Sequence, residues 1–511
     1  MKLAIYSIRV RFLFSLFANI LRGGLNFLTN IIIARYLMPA DYGTLAFLLT
    51  SFQALTQFFD QGVTAAFYTF ISRKIVKSAT YAIYFFWLIM QLILILFFIA
   101  IFAPDTLLNQ MWNNTPRNII IYAFLAIFLQ QVIWWSVVQL GEATRKTLLA
   151  QSANIIISLF YLIIILVMGQ YLHLTAKIIF ITMGSIYFVA SLIMFAVFIN
   201  WQAIMISRYA WLKDLKFCLR QYYAYCKPLF FLALVTFFYT FLNNWMLNYF
   251  GGSIQQGYYQ IAYRFSAIAL LATTSILRVF WKEVALLSES NDNEKMRLLF
   301  YKVLRVVFFA GAVGAGFMIP WAKEIILLFL GKSYLDGWLI LMIMFLYPIH
   351  QSIGQVMGAM FSATSMTRAY SLISIPFMLL SIVSTYFLLA PTHSILPGLA
   401  LGGVGLSVNM VVIQVISVNV CLYFFCKLKK WRFQWFFQFM TLVTMLILGY
   451  LTKIFISNFF LEWVSNPFRI IIELACAGAI YLFVVFIFLL YKPSWFLGLD
   501  RSAFLKVLKM R

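Results

Sequence analysis

Long apolar runs alternate with short charged or turn-rich breaks from one end of the chain to the other. Fourteen runs can be counted, at 12–37, 42–71, 78–103, 117–140, 147–168, 177–199, 229–249, 254–279, 299–321, 334–362, 367–390, 396–426, 434–456 and 468–491. As helices rising 1.5 Å per residue, runs of about 20 residues cross ~30 Å of hydrocarbon. The run at 334–362 exceeds what a span needs, which predicts a tilt or an interfacial kink. After the sixth run comes a polar, aromatic stretch, "WQAIMISRYAWLKDLKFCLRQYYAYCKP", from Trp201 to Pro228. It interleaves Trp201, Tyr209, Trp211, Tyr222 and Tyr223 with Arg208, Lys213, Lys216 and Arg220, the pattern of an amphipathic segment lying on an anionic membrane surface.

Composition agrees with the runs. The 511 residues are 64% hydrophobic with a mean hydropathy of +0.95, and only 10% are charged. This excludes a soluble globular protein and predicts an all-α polytopic membrane protein. The basic start (Lys2, Arg9, Arg11) leads into an apolar run without a small-residue cleavage site, so it reads as an uncleaved first span. The net charge of +24 needs placing relative to the membrane before it says anything about partners. With the N-terminus inside, the inner segments hold 29 Lys and Arg, the outer loops seven, and the membrane two, Arg22 and Arg264. The asymmetry never inverts along the chain, which supports fourteen spans with both termini cytoplasmic. Most of the charge therefore sets topology and touches anionic head groups rather than nucleic acid. The five cysteines form no CxxC pair and the three histidines are scattered, so neither disulfides nor a metal site are expected.

The chain also repeats. "RYLMPADYGTLAF" from Arg35 joins the first two runs, and "NYFGGSIQQGYYQIA" from Asn248 joins the seventh and eighth in the same way. "EATRKTLLAQSANI" from Glu142 matches "SATSMTRAYSLISI" from Ser362. The glycines Gly43 and Gly257 are offset by 214 residues and the alanines Ala143 and Ala363 by 220. Two halves of six helices each have the same orientation. They are expected to form lobes related by a pseudo-two-fold axis along the membrane normal, with a substrate site between them near the midplane. The division drawn is a six-helix lobe at 1–200, an amphipathic linker at 201–228, a second lobe at 229–430, and an extra helix pair with a tail at 431–511.

Charged side chains within a span cost at least ~2.5–3.5 kcal/mol and need a partner or a wet cavity. Arg22 lies near the middle of the first run and Arg264 near the middle of the eighth. A guanidinium keeps its charge and grips phosphate through paired hydrogen bonds, so the two suit a pyrophosphate; the bland reading is pairing with a buried carboxylate. Gly23 and Gly24 weaken the first helix beside Arg22, either as a hinge or as a close-packing site. Asp60 and Glu473 are intramembrane acids, candidates for coupling to H+ or Na+ or for local pairing. Gly62 beside Asp60 suggests a bend, and Asp41 is placed to cap the second helix.

The stretch "IIIARYLMPADYGTLAFLLTSFQALTQFFDQGVTAAFYTFISR" resembles the opening of bacterial O-antigen and capsule repeat-unit flippases. These are members of the multidrug/oligosaccharidyl-lipid/polysaccharide (MOP) exporter superfamily. Arg35 to Leu37, Asp41-Tyr42-Gly43, Asp60-Gln61-Gly62 and the turn with Gly141, Arg145 and Lys146 carry the likeness. It implies two six-helix bundles around a central cationic cavity, with arginines on helices one and eight. It also implies transport of undecaprenyl-pyrophosphate-linked oligosaccharides across a bacterial inner membrane, working beside a polysaccharide polymerase and a chain-length regulator. Related lipid II flippases have fourteen helices, the extra pair forming a groove for the lipid tail. Within the superfamily the alternatives are a lipid II flippase and a multidrug exporter, the latter expected to carry acids rather than cations in its cavity. A membrane polymerase or glycosyltransferase is disfavoured, because the longest outer loop is about 15 residues with Asp105 as its only acid. No enzymatic residues and no cofactor are expected.

Overall fold

A computed structural model describes residues 8–72, 78–198, 211–227, 230–459, 467–498 and 502. Their regular secondary structure is entirely helical. Among the described residues, eleven helices are long and apolar enough to cross a membrane, or twelve when the bent pair Lys332–Met344 and Tyr347–Ala363 is taken as one span. Two of these, Ile8–Asp60 and Phe230–Glu289, are each divided by one residue with left-handed φ and extended ψ: Met38 (φ 64°, ψ 168°) and Gly252 (φ 76°, ψ 175°). Counting each as two segments gives the fourteen expected from the runs. The kink expected in 334–362 is a 41° bend between the paired helices.

The side chains follow the demands of a lipid solvent. Phe86, Ile101, Phe102 and Phe483 stand 65–71% exposed, which water would penalise and hydrocarbon does not. Polar groups within spans bond back to their own helix: the Thr29 hydroxyl donates to Leu25 O (2.9 Å) and the Asn30 amide to Asn26 O (2.7 Å). Irregular backbone is satisfied locally, as membrane depth requires. The second span breaks at Gln61 (φ 46°) and Gly62 (φ 83°), as the glycine suggested. Asp60 accepts from Gly62 N (3.2 Å), Thr64 N (3.1 Å) and the Thr64 hydroxyl, and so caps the helix Val63–Ser72. Asp41 does not cap: the helix resumes at Pro39, leaving Asp41 exposed in its first turn with no side-chain hydrogen bond among the described residues.

Two compact units divide at Gly257 and Tyr258. In the first, the helix Thr147–Tyr171 lies along Ile8–Asp60, with Gly169 against the ring of Tyr36. Asn154 Oδ1 accepts from Trp134 Nε1 at 2.9 Å. The two repeat turns meet here. A β-carbon at Gly43 would fall on the carbonyl oxygen of Ser253 and 2.8 Å from Gly257 N, and one at Gly257 would fall on the carbonyl oxygen of Pro39. Ser253 and Pro39 are themselves 214 residues apart, so one contact is the repeat of the other. The helix Trp211–Cys226 packs by Cys218 and Tyr222, whose hydroxyl donates to Thr80 O (3.3 Å) and whose ring meets Phe70 edge-on at 5.1 Å. Burial pushes the Cys226 thiol at its end up to about 11. Leu219 and Tyr223, beside Arg220, are left exposed at 48% and 65%, the face expected to meet head groups. Residues 201–210 and 228 of the proposed linker lie outside the described residues.

In the second unit, the helices Asn293–Met318 and Trp435–Phe459 approach through Gly316 and Gly449, where a β-carbon on either would strike the other helix's backbone. Lys453 Nζ sits 2.7 Å from both Glu324 Oε1 and Pro320 O, and 5.0 Å over the Trp321 ring. Buried Asn409 donates to Ser381 and Thr385 hydroxyls (2.9 and 2.7 Å) across to the helix Thr367–Leu389. Reporter fusions after Lys77, Arg220 and Lys430 are expected to read cytoplasmic, and fusions near Gly252 and His393 external. One swapped signal would break the assigned topology.

Candidate functional site

Arg22 is half-buried within the unbroken helical stretch before Met38, and its Nη2 donates to Asn19 Oδ1 at 3.3 Å. Among the described residues it has no carboxylate within 4 Å. Its electrostatic neighbours are Tyr187 and, more weakly, Glu142, whose own carboxylate accepts from the Gln151 amide at 2.5 Å. Arg264, also half-buried, makes no hydrogen bond or ion pair to another described residue. The helix runs through Gly23 and Gly24 without interruption, and a β-carbon at Gly24 would meet nothing within 4 Å. Close packing therefore does not require that glycine. Glu473 is paired: Arg469 Nε lies 2.6 Å from its Oε1, one helical turn away. Asp60 is occupied with the helix break described above.

The residues that sequence reasoning missed surround Asp60. A cavity of about 370 Å³ is lined by Gln53, Thr56, Gln57, Asp60, Thr64, Ala65, Gln131, Val132, Trp135 and Gln139. On one side Gln53 and Gln57 are four apart and share a helix face. On the other, the fourth span becomes π-helical over Phe128–Trp134 before resuming as Trp135–Ala143. Such widened turns are rare and gather at functional sites. Gln131 Nε2 lies 3.4 Å from Gln130 Oε1, and Gln130 in turn hydrogen-bonds Tyr187, the neighbour of Arg22. With its amide turned to satisfy both partners, Gln139 accepts from Trp135 Nε1 (2.6 Å) and donates to Thr64 O (3.3 Å). A smaller cavity of about 220 Å³ shares Gln57 and is lined otherwise by Ala54, Phe58, Gln61, Gly62, Leu232, Ala233, Thr236 and Phe237. The glutamines at 53 and 57, inside an apolar run, were the sequence signal for this site.

The helices and the two repeat turns define an all-helical, polytopic membrane fold with an internal repeat. The chain superposes on the lipid II flippase MurJ in an inward closed conformation, with a TM-score of 0.66 and 17% identity over 93% of this chain and 98% of that one. An inward-facing MATE-family multidrug resistance transporter gives 0.56, with 16% identity over 84% and 97%. A MOP superfamily transporter from Pyrococcus furiosus, described as having a binding pocket of reversed polarity, gives 0.55, with 14% identity over 82% and 95%. A search of curated proteins finds no match. The family described as polysaccharide biosynthesis protein matches residues 32–338, and the chain belongs to that family.

Proposed function

We propose that the protein carries undecaprenyl-pyrophosphate-linked oligosaccharide units from the cytoplasmic to the outer leaflet of a bacterial inner membrane, for assembly of O-antigen, capsule or exopolysaccharide. The observation that carries this reading is the pair of membrane-embedded arginines, neither with a carboxylate partner among the described residues. A chain with only 14 acids leaves two permanent cations in its spans while Glu473 and Glu324 each take a cation of their own. An unpaired guanidinium in hydrocarbon is costly, and an anionic cargo offsets that cost when it binds. Pyrophosphate supplies the charge and the acceptor geometry for forked hydrogen bonds.

The family supports a role in polysaccharide biosynthesis, and the fold supports alternating access by two repeated lobes, 1–200 and 229–430. The product, delivered to the outer leaflet, would be used by a polymerase under a chain-length regulator. Asp60 and Glu473 are both engaged locally, so the proposal gives neither an ion-coupling role. Lipid II is the second reading, favoured by the likeness to MurJ, and it shares the polyprenyl pyrophosphate.

Reconstitution into proteoliposomes tests the class. Undecaprenyl-pyrophosphate oligosaccharide is expected to reach the outer leaflet at least tenfold faster than in protein-free vesicles, while a cationic dye is not moved. Transport of the dye without the lipid would overturn the reading, and transport of lipid II alone would select the second one.

A further inference from the structure

We propose that the cavity between the second and fourth spans is a carbohydrate subsite, which holds the first sugars of the cargo while the arginines hold its pyrophosphate; the proposal rests on the function argued above and adds a separate place for the glycan. Its volume of about 370 Å³ lies in the range of small-molecule sites and is more than tenfold the ~30 Å³ share of one water, far more room than a bare ion requires. The lining suits a neutral, hydroxyl-rich ligand. Sugar hydroxyls both donate and accept, as do the primary amides of Gln53, Gln57, Gln131 and Gln139. The amides of Gln53 and Gln57 make no hydrogen bond to another described residue, so their capacity is free for a ligand.

Trp135 supplies the second half of a sugar site. Its side chain is 44% exposed, and Gln139 takes its indole N–H. The ring is thereby oriented, with an apolar surface for the C–H face of a pyranose. Asp60 Oδ1 already accepts from Thr64 N and the Thr64 hydroxyl and Oδ2 from Gly62 N, which fixes the carboxylate and leaves Oδ2 a lone pair for a sugar hydroxyl. Cationic cargo is a poor fit, because one engaged carboxylate among four amides gives little negative field. A polyprenyl tail fits no better, because the amides would lose their water without gaining partners.

Binding in lipid nanodiscs separates this proposal from the reading beneath it. The probes are undecaprenyl pyrophosphate, bare or carrying one N-acetylglucosamine or one galactose. Wild type is expected to bind at least one glycosylated lipid more tightly than the bare one. Trp135→Ala, and Gln53→Ala with Gln57→Ala, should weaken the preferred glycosylated lipid about tenfold, the scale of one or two lost contacts at ~1.4 kcal/mol per decade, and leave the bare lipid unchanged. Trp135→Phe, which keeps a stacking face, should stay within about threefold of wild type. Arg22→Ala should weaken bare and glycosylated lipids alike.

Equal affinity of wild type for all three lipids, or equal losses on bare and glycosylated lipid in the Trp135 and glutamine variants, would overturn the subsite. Undiminished binding of bare lipid by Arg22→Ala would overturn the arginine reading and leave the subsite standing. If no lipid binds, maleimide labelling of a Gln57→Cys variant, followed by peptide mass spectrometry, decides the question: protection by free N-acetylglucosamine or galactose at high millimolar concentration supports the subsite, and unaltered labelling rejects it.

Discussion

Arg22→Ala and Arg264→Ala are each expected to abolish surface polysaccharide while the protein still inserts at normal levels. A charge-assisted hydrogen bond contributes about 1.5–3 kcal/mol, and a forked pair adds geometric fit. Losing one guanidinium therefore lowers transport by about ten- to 150-fold, with the lipid-linked intermediate accumulating on the cytoplasmic leaflet. Lysine at either position should restore only part of the rate, because it keeps the charge and loses the fork. The measurement is surface glycan by labelled lectin or antibody, with membrane protein quantified in parallel. Normal glycan in both alanine variants would remove the arginines from the mechanism.

The second large effect is expected at the repeat turns. At Gly43 and at Gly257 the neighbour that blocks a side chain is a carbonyl oxygen of the backbone, at Ser253 and Pro39 respectively, which cannot swing aside as a flexible side chain does. Gly43→Ala or Gly257→Ala must therefore part the turns, at a strain of about 1–3 kcal/mol typical of overpacking. If the joined turns close the outer face, that strain shifts the population towards the open form by about 5- to 150-fold. Spin labels at Ala40 and Ile254 should report a longer distance in either variant, with transport slowed because closure is opposed. An unchanged distance distribution would show that the contact absorbs a methyl group without opening.

The helices were legible because hydropathy and length alone specify a span. The breaks at Met38 and Gly252 were legible too, because Arg35, Pro39 and Asp41 interrupt the first apolar run and the Gly251-Gly252 pair the second. The break after Asp60 was legible through Gly62. The role of Asp41 was not, because helix two starts at Pro39, whose ring already sets the helical φ and whose missing N–H is no loss at a helix start. Arg22 and Arg264 stood out because a charge in an apolar run is conspicuous. The glutamine cavity did not, since neutral amides barely dent a hydropathy average. Gln131 shares the cavity with Gln53 and Gln57 through a π-helical register that no spacing rule for an ordinary helix anticipates.

The paired contacts of the repeat turns are those of an isologous interface, in which one patch meets its own copy and every contact occurs twice. In a half-length chain assembled as a two-fold dimer, one codon would specify both glycines, and a single substitution would strike both sides of the seam. With both halves in one chain, Gly43 and Gly257 are separate loci. Each side of the seam can then change alone, as the partner positions already have: proline at 39, serine at 253. A seam carried within one chain is thereby free to become asymmetric, one residue at a time.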